Sequence, residues 1–204
     1  RRQRQMCIRH RTCWEPGQKA YLTESNNPKR KLKYTLELTH NGESFVSLNT
    51  GATNKIVKDA LEKKLIPELA DCDEIKPEQK ILDSRLDFLL LKGETKTYVE
   101  VKNVTLKGEF NGDPNFALFP DAVTTRGQKH LKDLMQIKEM GHGAVMLYLV
   151  NRQDVDKFSV ASKIDPKYAE LLKQAKDSGV KILVYQTKIT TKEIIVDKKL
   201  DIFL

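Results

Sequence analysis

Two apolar segments joined by a tight turn, with charged residues inside both, constrain the fold of this chain more than any other feature. Residues 84–102 read Ser-Arg-Leu-Asp-Phe-Leu-Leu-Leu-Lys-Gly-Glu-Thr-Lys-Thr-Tyr-Val-Glu-Val-Lys, which predicts two strands of a hairpin. Asp87 interrupts the first strand, and Glu100 and Lys102 interrupt the second. Charges inside an apolar sheet are unfavourable unless they are paired or bind a metal ion. A metal-dependent phosphodiester chemistry is one candidate explanation for them.

The turn of this hairpin determines which side chains meet. If the loop has two residues, Gly93 lies where a type II′ turn favours glycine, and Asp87 lies directly opposite Glu100. Opposed residues share one face of the sheet with Cβ atoms about 5 Å apart, and alternation puts Lys102 on the same face. A longer loop would change the register and remove this convergence.

Two carboxylates this close repel each other, and a cation between them would relieve the repulsion. Mg²⁺ suits such a site because it is a hard ion held by one or two carboxylates and by water, and Mn²⁺ is the second candidate. Lys102 would then orient or deprotonate a metal-bound water for attack on phosphorus. The alternative is an ion-pair network across the sheet, in which Lys102 neutralises Glu100.

The net charge of +8 is concentrated at the front of the chain. Residues 1–33 hold ten Lys or Arg and two acids, which leaves 26 basic and 26 acidic residues in the rest of the chain. A polyanion would therefore be attracted to the front segment. A solvated charged tail is the alternative interpretation.

Hydrophobic periodicity predicts an α/β domain over residues 51–204, preceded by a basic β segment over residues 1–50. Helices are expected from Thr53 or Asn54, from Thr125 with Gln128 in a capping box, and from Pro166 after an Asp N-cap. Further strands are expected over residues 20–22, 32–38, 45–48, 144–150, 180–185 and in the final 188–204. Residues 107–118 are expected to form an exposed loop.

Composition favours a cytoplasmic protein. No apolar run reaches the roughly 18 residues of a membrane span, so no membrane contact is expected. Three irregularly spaced cysteines do not form a disulfide framework, which predicts reduced thiols. Cys7, His10 and Cys13 supply only three of the four ligands that a structural zinc needs, so unligated thiols are the favoured interpretation.

Several long motifs resemble the sugar fermentation stimulation protein A family. They include Asn-Pro-Lys-Arg-Lys-Leu-Lys-Tyr-Thr-Leu-Glu-Leu at 27–38, Ser-Arg-Leu-Asp-Phe at 84–88 and Tyr-Val-Glu-Val-Lys-Asn-Val-Thr-Leu at 98–106. Two more are Phe-Pro-Asp-Ala-Val-Thr-Thr-Arg-Gly-Gln-Lys-His-Leu at 119–131 and Ile-Asp-Pro-Lys-Tyr at 164–168. The resemblance runs from about Cys13 to the C-terminus.

The resemblance implies a DNA-binding protein linked to regulation of maltose metabolism, with an OB-like barrel before a PD-(D/E)xK nuclease-like mixed-sheet domain. It assigns Asp87 and Glu100 to metal binding and Lys102 to the motif lysine, with a further ligand at Asp59 or, less favoured, Glu62. Only about 26 residues precede the segment at 27–38, so a truncated barrel is expected. An active divalent-metal-dependent nuclease is the alternative function, and the oligomeric state stays open.

Candidate DNA contacts lie in two places. The front segment offers Lys29, Arg30, Lys31 and Lys33. On the second helix, Arg126 and Lys129 are three residues apart and share a face that can meet phosphates, and the neighbouring His130 could assist acid–base chemistry. A solvated basic face with capping is the alternative for this helix. Three aromatic residues of the front segment could stack on unpaired bases or pack in a barrel core: Trp14, Tyr21 and Tyr34.

Overall fold

The computed structural model describes residues 12–204, and the elements given below are those of this part of the chain. Cys7, His10 and the first eleven residues of the predicted basic segment lie outside it. The strands are β1 (Lys19–Glu24), β2 (Tyr34–His40), β3 (Phe45–Ser47), β4 (Glu74–Ile81), β5 (Ser84–Lys92), β6 (Thr95–Val104), β7 (Leu106–Phe110), β8 (Asp113–Phe119), β9 (Gly143–Val150), β10 (Lys157–Val160), β11 (Lys181–Ile189), β12 (Ile194–Lys199) and β13 (Asp201–Phe203). The α-helices are α1 (Thr53–Glu62), α2 (Thr125–Glu139) and α3 (Pro166–Asp177), and 3-10 turns cover Thr50–Ala52 and Pro67–Leu69.

A six-stranded mixed sheet in the order β12-β11-β9-β6-β5-β4 forms the centre of the fold. Its middle strands β6, β9 and β11 run parallel, whereas β4, β5 and β12 pair antiparallel to their neighbours. The strands β13-β10-β8-β7 make a second sheet, and β1-β2-β3 make an antiparallel front sheet. This arrangement confirms the predicted α/β mixed-sheet class.

Helices cover both faces of the central sheet. On one face, Val57 and Leu61 of α1 pack in a core with Phe88 and Val99. On the other face, α2 and α3 pack in a second core, to which α2 contributes Leu131. A strand with helices on both sides is buried on both faces, which is why β9 is an uninterrupted apolar run.

A buried ion pair in the connection between β9 and β10 lies against the front sheet, where Asn41 Nδ2 donates to Asp154 Oδ2 at 2.9 Å and Val46 forms a β-bridge with Arg152. Arg152, 1% exposed, donates from Nε and Nη2 to the two carboxylate oxygens of Asp154, both at 2.7 Å. Its Nη1 also donates to the Thr105 carbonyl at 2.6 Å. Beside it, the Ser47 N–H at the end of β3 donates to the Asn151 carbonyl at 2.9 Å. The two sheets therefore share a hydrogen-bonded boundary.

The start of α1 differs from the predicted one. Ala52 precedes the first helical residue and has no side-chain capping bond, whereas Asn49 accepts from the Gly51 N–H ahead of the 3-10 turn. Thr53, one of the predicted caps, instead donates from Oγ1 to Asn103 Oδ1 at 3.2 Å. The side chains expected to cap α1 therefore connect it to the central sheet.

The other two helices begin close to their predicted positions. Thr124, one residue before the predicted Thr125, caps α2 by accepting from the Gly127 N–H at 3.0 Å. The predicted capping box is wrong because Gln128 donates to Asp165, with both Oδ atoms within 3.0 Å of its Nε2. Asp165 also caps α3, as predicted. None of the described helices is long and apolar enough to cross a lipid bilayer.

The prediction of an exposed loop over residues 107–118 is wrong. These residues form the β7–β8 hairpin, whose turn contains Asn111 and Gly112 at φ of 51° and 83°. Asparagine followed by glycine is the preferred pair for a turn with two positive φ angles, so the sequence signal for a hairpin was present.

Candidate functional site

The predicted hairpin register is confirmed from the turn as far as Phe88. The pairs run from Lys92 opposite Thr95 to Phe88 opposite Val99, as a two-residue turn at Gly93 requires. No pairing between β5 and β6 follows beyond that point in the described structure, so the two strands separate where Asp87 and Glu100 were expected to face each other.

Asp87 lies in the gap between the separating strands. Its Oδ2 accepts from the Val101 N–H at 2.8 Å, and its Oδ1 accepts from Asn54 Nδ2 at 2.7 Å. Leu86 packs in the core beneath α2, whereas Phe88 packs in the core beneath α1, so the side-chain alternation of β5 breaks at Asp87. The expected direct opposition of Asp87 and Glu100 is therefore wrong, because the carboxylate of Asp87 replaces a ladder bond.

Glu100 is buried, 3% exposed, on the α2 face of β6. Its Oε1 accepts from Lys102 Nζ at 2.6 Å and also contacts His130 Nδ1. Its Oε2 is buried and has no hydrogen-bond partner in the described part of the chain. A buried carboxylate oxygen without a donor has lost its hydration without replacement. A divalent cation is the partner that such an oxygen fits.

The two carboxyl groups respond differently to burial. Burial and the charge of Glu100 raise the pKa of Asp87, although the Val101 N–H and Asn54 oppose the change. Burial would also raise the pKa of Glu100, but His130 and Lys102 outweigh it and hold this pKa below its usual range. The lowered pKa favours the ionised form of Glu100, and a cation shared by the two carboxyl groups would stabilise both charges.

His130 connects this anion to the start of α2. The residue is 4% exposed, and its Nε2 accepts from Arg126 Nε at 3.4 Å. Lys102 Nζ lies 3.2 Å from its Nδ1. Arg126 itself is exposed, so its guanidinium joins the buried cluster to solvent.

Lys129 belongs to a different group of contacts from its neighbour His130. Its Nζ donates to Ser84 Oγ at 2.6 Å and to Asp133 Oδ2 at 2.8 Å, and Ser84 also donates to Asp133. These contacts join α2 to the start of β5. Ser84 and Asp133 were not singled out from the sequence, although Lys129 and Asp133 have the spacing of a helical ion pair.

The structure does not bring Asp59 to the other carboxylates. Asp59 pairs with Lys63 on the exposed side of α1, Nζ to Oδ2 at 2.9 Å, and Asn54 is the α1 residue that contacts Asp87. The described residues contain no group of three or more His, Cys, Asp or Glu side chains that could hold a metal ion. Asp59 lies five positions after Asn54, about 140° further around the helix, so the two side chains leave α1 on different sides.

The predicted basic residues of the front segment lie on the exposed connection between β1 and β2. Lys33 pairs with Glu24 at 2.8 Å and also lies over the Tyr34 ring, with Nζ 5.5 Å from its centroid. Trp14 and Tyr34 are about half exposed, whereas Tyr21 packs edge-on against Phe45. The exposed cations of this connection are Lys29, Arg30, Lys31 and Lys33.

Comparisons with known proteins identify both parts of the chain. Residues 51–193 match the Sugar fermentation stimulation protein RE domain, and residues 9–48 match the SfsA N-terminal OB domain. A sugar fermentation stimulation protein homolog of Geotalea uraniireducens is 43% identical over 191 residues, which cover 93% of this chain and 80% of the relative. A homolog from Pseudoalteromonas translucida is 44% identical over 192 residues, covering 92% and 81%. A solved structure of Pyrococcus furiosus SfsA in complex with Ca²⁺ matches with a TM-score of 0.83 and 31% identity, covering 93% of this chain and 80% of that one.

Proposed function

Because the chain belongs to the sugar fermentation stimulation protein family, we propose that it is a DNA-binding protein whose central sheet holds a divalent cation between Asp87 and Glu100. The unpartnered, buried Oε2 of Glu100 is the observation that carries this proposal. The Ca²⁺ bound by the Pyrococcus furiosus relative supports it, and Mg²⁺ or Mn²⁺ is the proposed ion here. A link to sugar metabolism, as the family name implies, would follow from binding to DNA.

Exposed cations at two places support binding to DNA. The β1–β2 connection exposes Lys29, Arg30 and Lys31. Within the described residues, these three side chains form no salt bridge with a carboxylate, unlike Lys33. Arg126 is exposed at the start of α2, where its Nε lies 3.4 Å from Nε2 of His130. Guanidinium and ammonium groups bind phosphate oxygens, so both places can contact the DNA backbone.

Fluorescence anisotropy with a labelled duplex tests the binding proposal. Release of counterions from phosphates predicts that log K falls linearly with log salt, by about 0.9 for each phosphate neutralised. Six or more contacts would weaken binding by a factor of about 10³ or more between 50 and 200 mM salt. Affinity that does not change with salt, or that is absent at 50 mM, would contradict the proposal.

Metal-dependent hydrolysis of phosphodiesters is a second candidate function, favoured by the position of Lys102. Its Nζ lies 2.6 Å from Glu100 Oε1, so an ammonium group lies beside the proposed cation site. A divalent cation bound there would polarise a phosphoryl oxygen and acidify a bound water. Asp87 and Glu100 would hold the cation, and Lys102 would stabilise negative charge on the phosphate. Arg126 is exposed nearby and could bind a neighbouring phosphate.

Incubation of supercoiled plasmid with Mg²⁺ or Mn²⁺ tests this second function. Wild type should nick the plasmid. Glu100→Gln should lose the activity because it removes a proposed cation ligand, and Lys102→Met should lose it because it removes the ammonium group beside that ligand. Asp59→Asn is the matched control, since this acidic residue lies outside the proposed site. Equal nicking by all four proteins would identify a contaminant, and binding without nicking would leave the DNA-binding role alone.

A further inference from the structure

We propose that His130 is a positioning residue that orients the carboxylate of Glu100, so that Oε2 alone is presented to the cation. This inference rests on the proposed cation site. It assigns a role to a buried histidine on a helix rather than to a residue of the strand motif. The ring would act through Glu100 and would not itself contact DNA or the cation.

The two oxygens of Glu100 have opposite surroundings. Oε1 is in contact with both His130 Nδ1 and Lys102 Nζ, whereas Oε2 is buried and has no donor in the described part of the chain. Two donors on one oxygen fix the rotation of the carboxylate plane. The second oxygen is thereby left as the ligand, and its orientation is set before a cation arrives.

Hydrogen-bond chemistry determines which ring nitrogen of His130 carries the proton. Arg126 Nε can only donate, so Nε2 of the ring, 3.4 Å away, accepts. An ionised Glu100 can only accept, so Nδ1 of the ring donates to Oε1. Arg126 and Glu100 therefore select the same tautomer from opposite sides. The close approach of Lys102 to Nδ1 is then a by-product of two donors sharing Oε1.

Packing alone does not account for this histidine. His130 lies next to the core residue Leu131 on α2, and both are buried. A residue needed only to fill space there could be leucine, which has a similar volume and no polar atoms to satisfy. Groups that hydrogen-bond a metal ligand, by contrast, typically contribute about 10- to 100-fold to metal affinity. The two explanations therefore predict different effects of replacing the ring.

Calorimetric titration of the full chain with Ca²⁺ or Mn²⁺ distinguishes a packing role of His130 from a positioning role. His130→Leu removes the donor, whereas His130→Asn keeps an N–H in about the place of Nδ1. We expect affinity to fall about 10- to 100-fold in His130→Leu and to return to within a few-fold of wild type in His130→Asn. Wild-type affinity in His130→Leu, or an equal loss in both variants, would overturn the inference.

A second measurement needs no variant. Long-range ¹H–¹⁵N correlation spectra of the wild-type imidazoles, recorded without metal, report which nitrogen of His130 is protonated. A protonated Nδ1 with a bare Nε2 is expected, and the opposite tautomer would overturn the inference even if a variant fails to fold.

The outcomes also separate this inference from the proposed function. If wild type binds the cation and Glu100→Gln does not, while His130→Leu binds normally, only the inference fails. If wild type binds neither Ca²⁺ nor Mn²⁺, the cation site fails and takes the role of His130 with it.

Discussion

The carboxylate of Asp87 accepts a hydrogen bond from the Val101 N–H at 2.8 Å, at the point where β5 and β6 stop pairing. A side chain here does what a backbone carbonyl does in the rest of the ladder, so the strands separate without leaving this N–H unsatisfied. The separation opens the sheet beside Glu100. Asp87 therefore accepts a hydrogen bond that supports the sheet, and it is also a proposed ligand of the cation. Measurements with and without metal separate these two roles.

Replacing Asp87 by asparagine should stabilise the metal-free protein at neutral pH. Burial and Glu100 raise the pKa of Asp87, so its ionised form destabilises the folded state at neutral pH, and this penalty disappears as pH falls below about 4. Asp87→Asn should raise the melting temperature at pH 7.5 in EDTA, by about 2–4 °C for each kcal/mol of penalty removed. The gain should shrink at pH 4.5.

Added Ca²⁺ should make wild type melt at a higher temperature than Asp87→Asn. Wild type gains stability from a ligand that binds only the folded state, whereas Asp87→Asn should gain little. A variant that melts lower than wild type in EDTA would show that the hydrogen bonds of Asp87 outweigh its charge repulsion.

The β1–β2 connection should supply part of the attraction to DNA. Replacing its four cations by alanine should lower the slope of log K against log salt by up to about 3.6, with a smaller share from Lys33 because it pairs with Glu24. Anisotropy titrations at several salt concentrations measure this slope. The changes are Lys29→Ala, Arg30→Ala, Lys31→Ala and Lys33→Ala.

The matched control removes four exposed lysines from the region of α3. The control should leave the slope of log K against log salt close to that of wild type. An equal decrease of the slope in both variants would show that DNA binding depends only on net charge. The control changes are Lys163→Ala, Lys173→Ala, Lys176→Ala and Lys181→Ala.

The buried ion pair of Arg152 and Asp154, in the connection between β9 and β10, should govern resistance to acid. Burial opposes ionisation of Asp154, but Arg152 and Lys107 outweigh it and hold its pKa well below the usual range. Its contribution is therefore present above about pH 4, the ordinary Asp pKa, and is lost as pH falls below that value. Asp154→Asn should cost about 3–5 kcal/mol at pH 7 because it leaves a buried guanidinium without its anion.

Urea unfolding at pH 7 and at successively lower pH measures both effects. Wild type should lose stability towards the variant's level as the pH falls through and below 4. Glu43→Gln is a suitable control, since this exposed partner of Lys107 should change stability by less than about 1 kcal/mol. A small loss in Asp154→Asn would contradict a structural role for the pair.

The turn of the β7–β8 hairpin should require glycine at position 112. Its φ of 83° lies in the left-handed region, where a Cβ costs about 1–2 kcal/mol. Gly112→Ala should lower the free energy of unfolding by that amount in urea titrations. Unchanged stability would mean that the hairpin adopts a different turn.

Local signals in the sequence were sufficient for much of the fold. Gly93 set the register of the hairpin, and Asp165 followed by proline located the start of α3, because both depend on adjacent residues. Asn111 and Gly112 were an equally local signal, but the polar residues around them concealed the short strands.

The site was less predictable because it depends on long-range contacts. Asp87, at the point where β5 separates from β6, accepts a hydrogen bond from Asn54 on α1, 33 residues away in sequence. The contact of His130 with Glu100 requires α2 to pack across the sheet. Nothing in the residues adjacent to either carboxylate indicates these partners.

The central claim is that Asp87 and Glu100 share one divalent cation, and anomalous diffraction from crystals soaked in Mn²⁺ tests it most directly. The account predicts a peak in contact with Glu100 Oε2 and with the Asp87 carboxylate, absent from Glu100→Gln crystals grown and soaked in the same way. A peak that avoids both carboxylates, or one that contacts Glu100 through Oε1 instead, would contradict it.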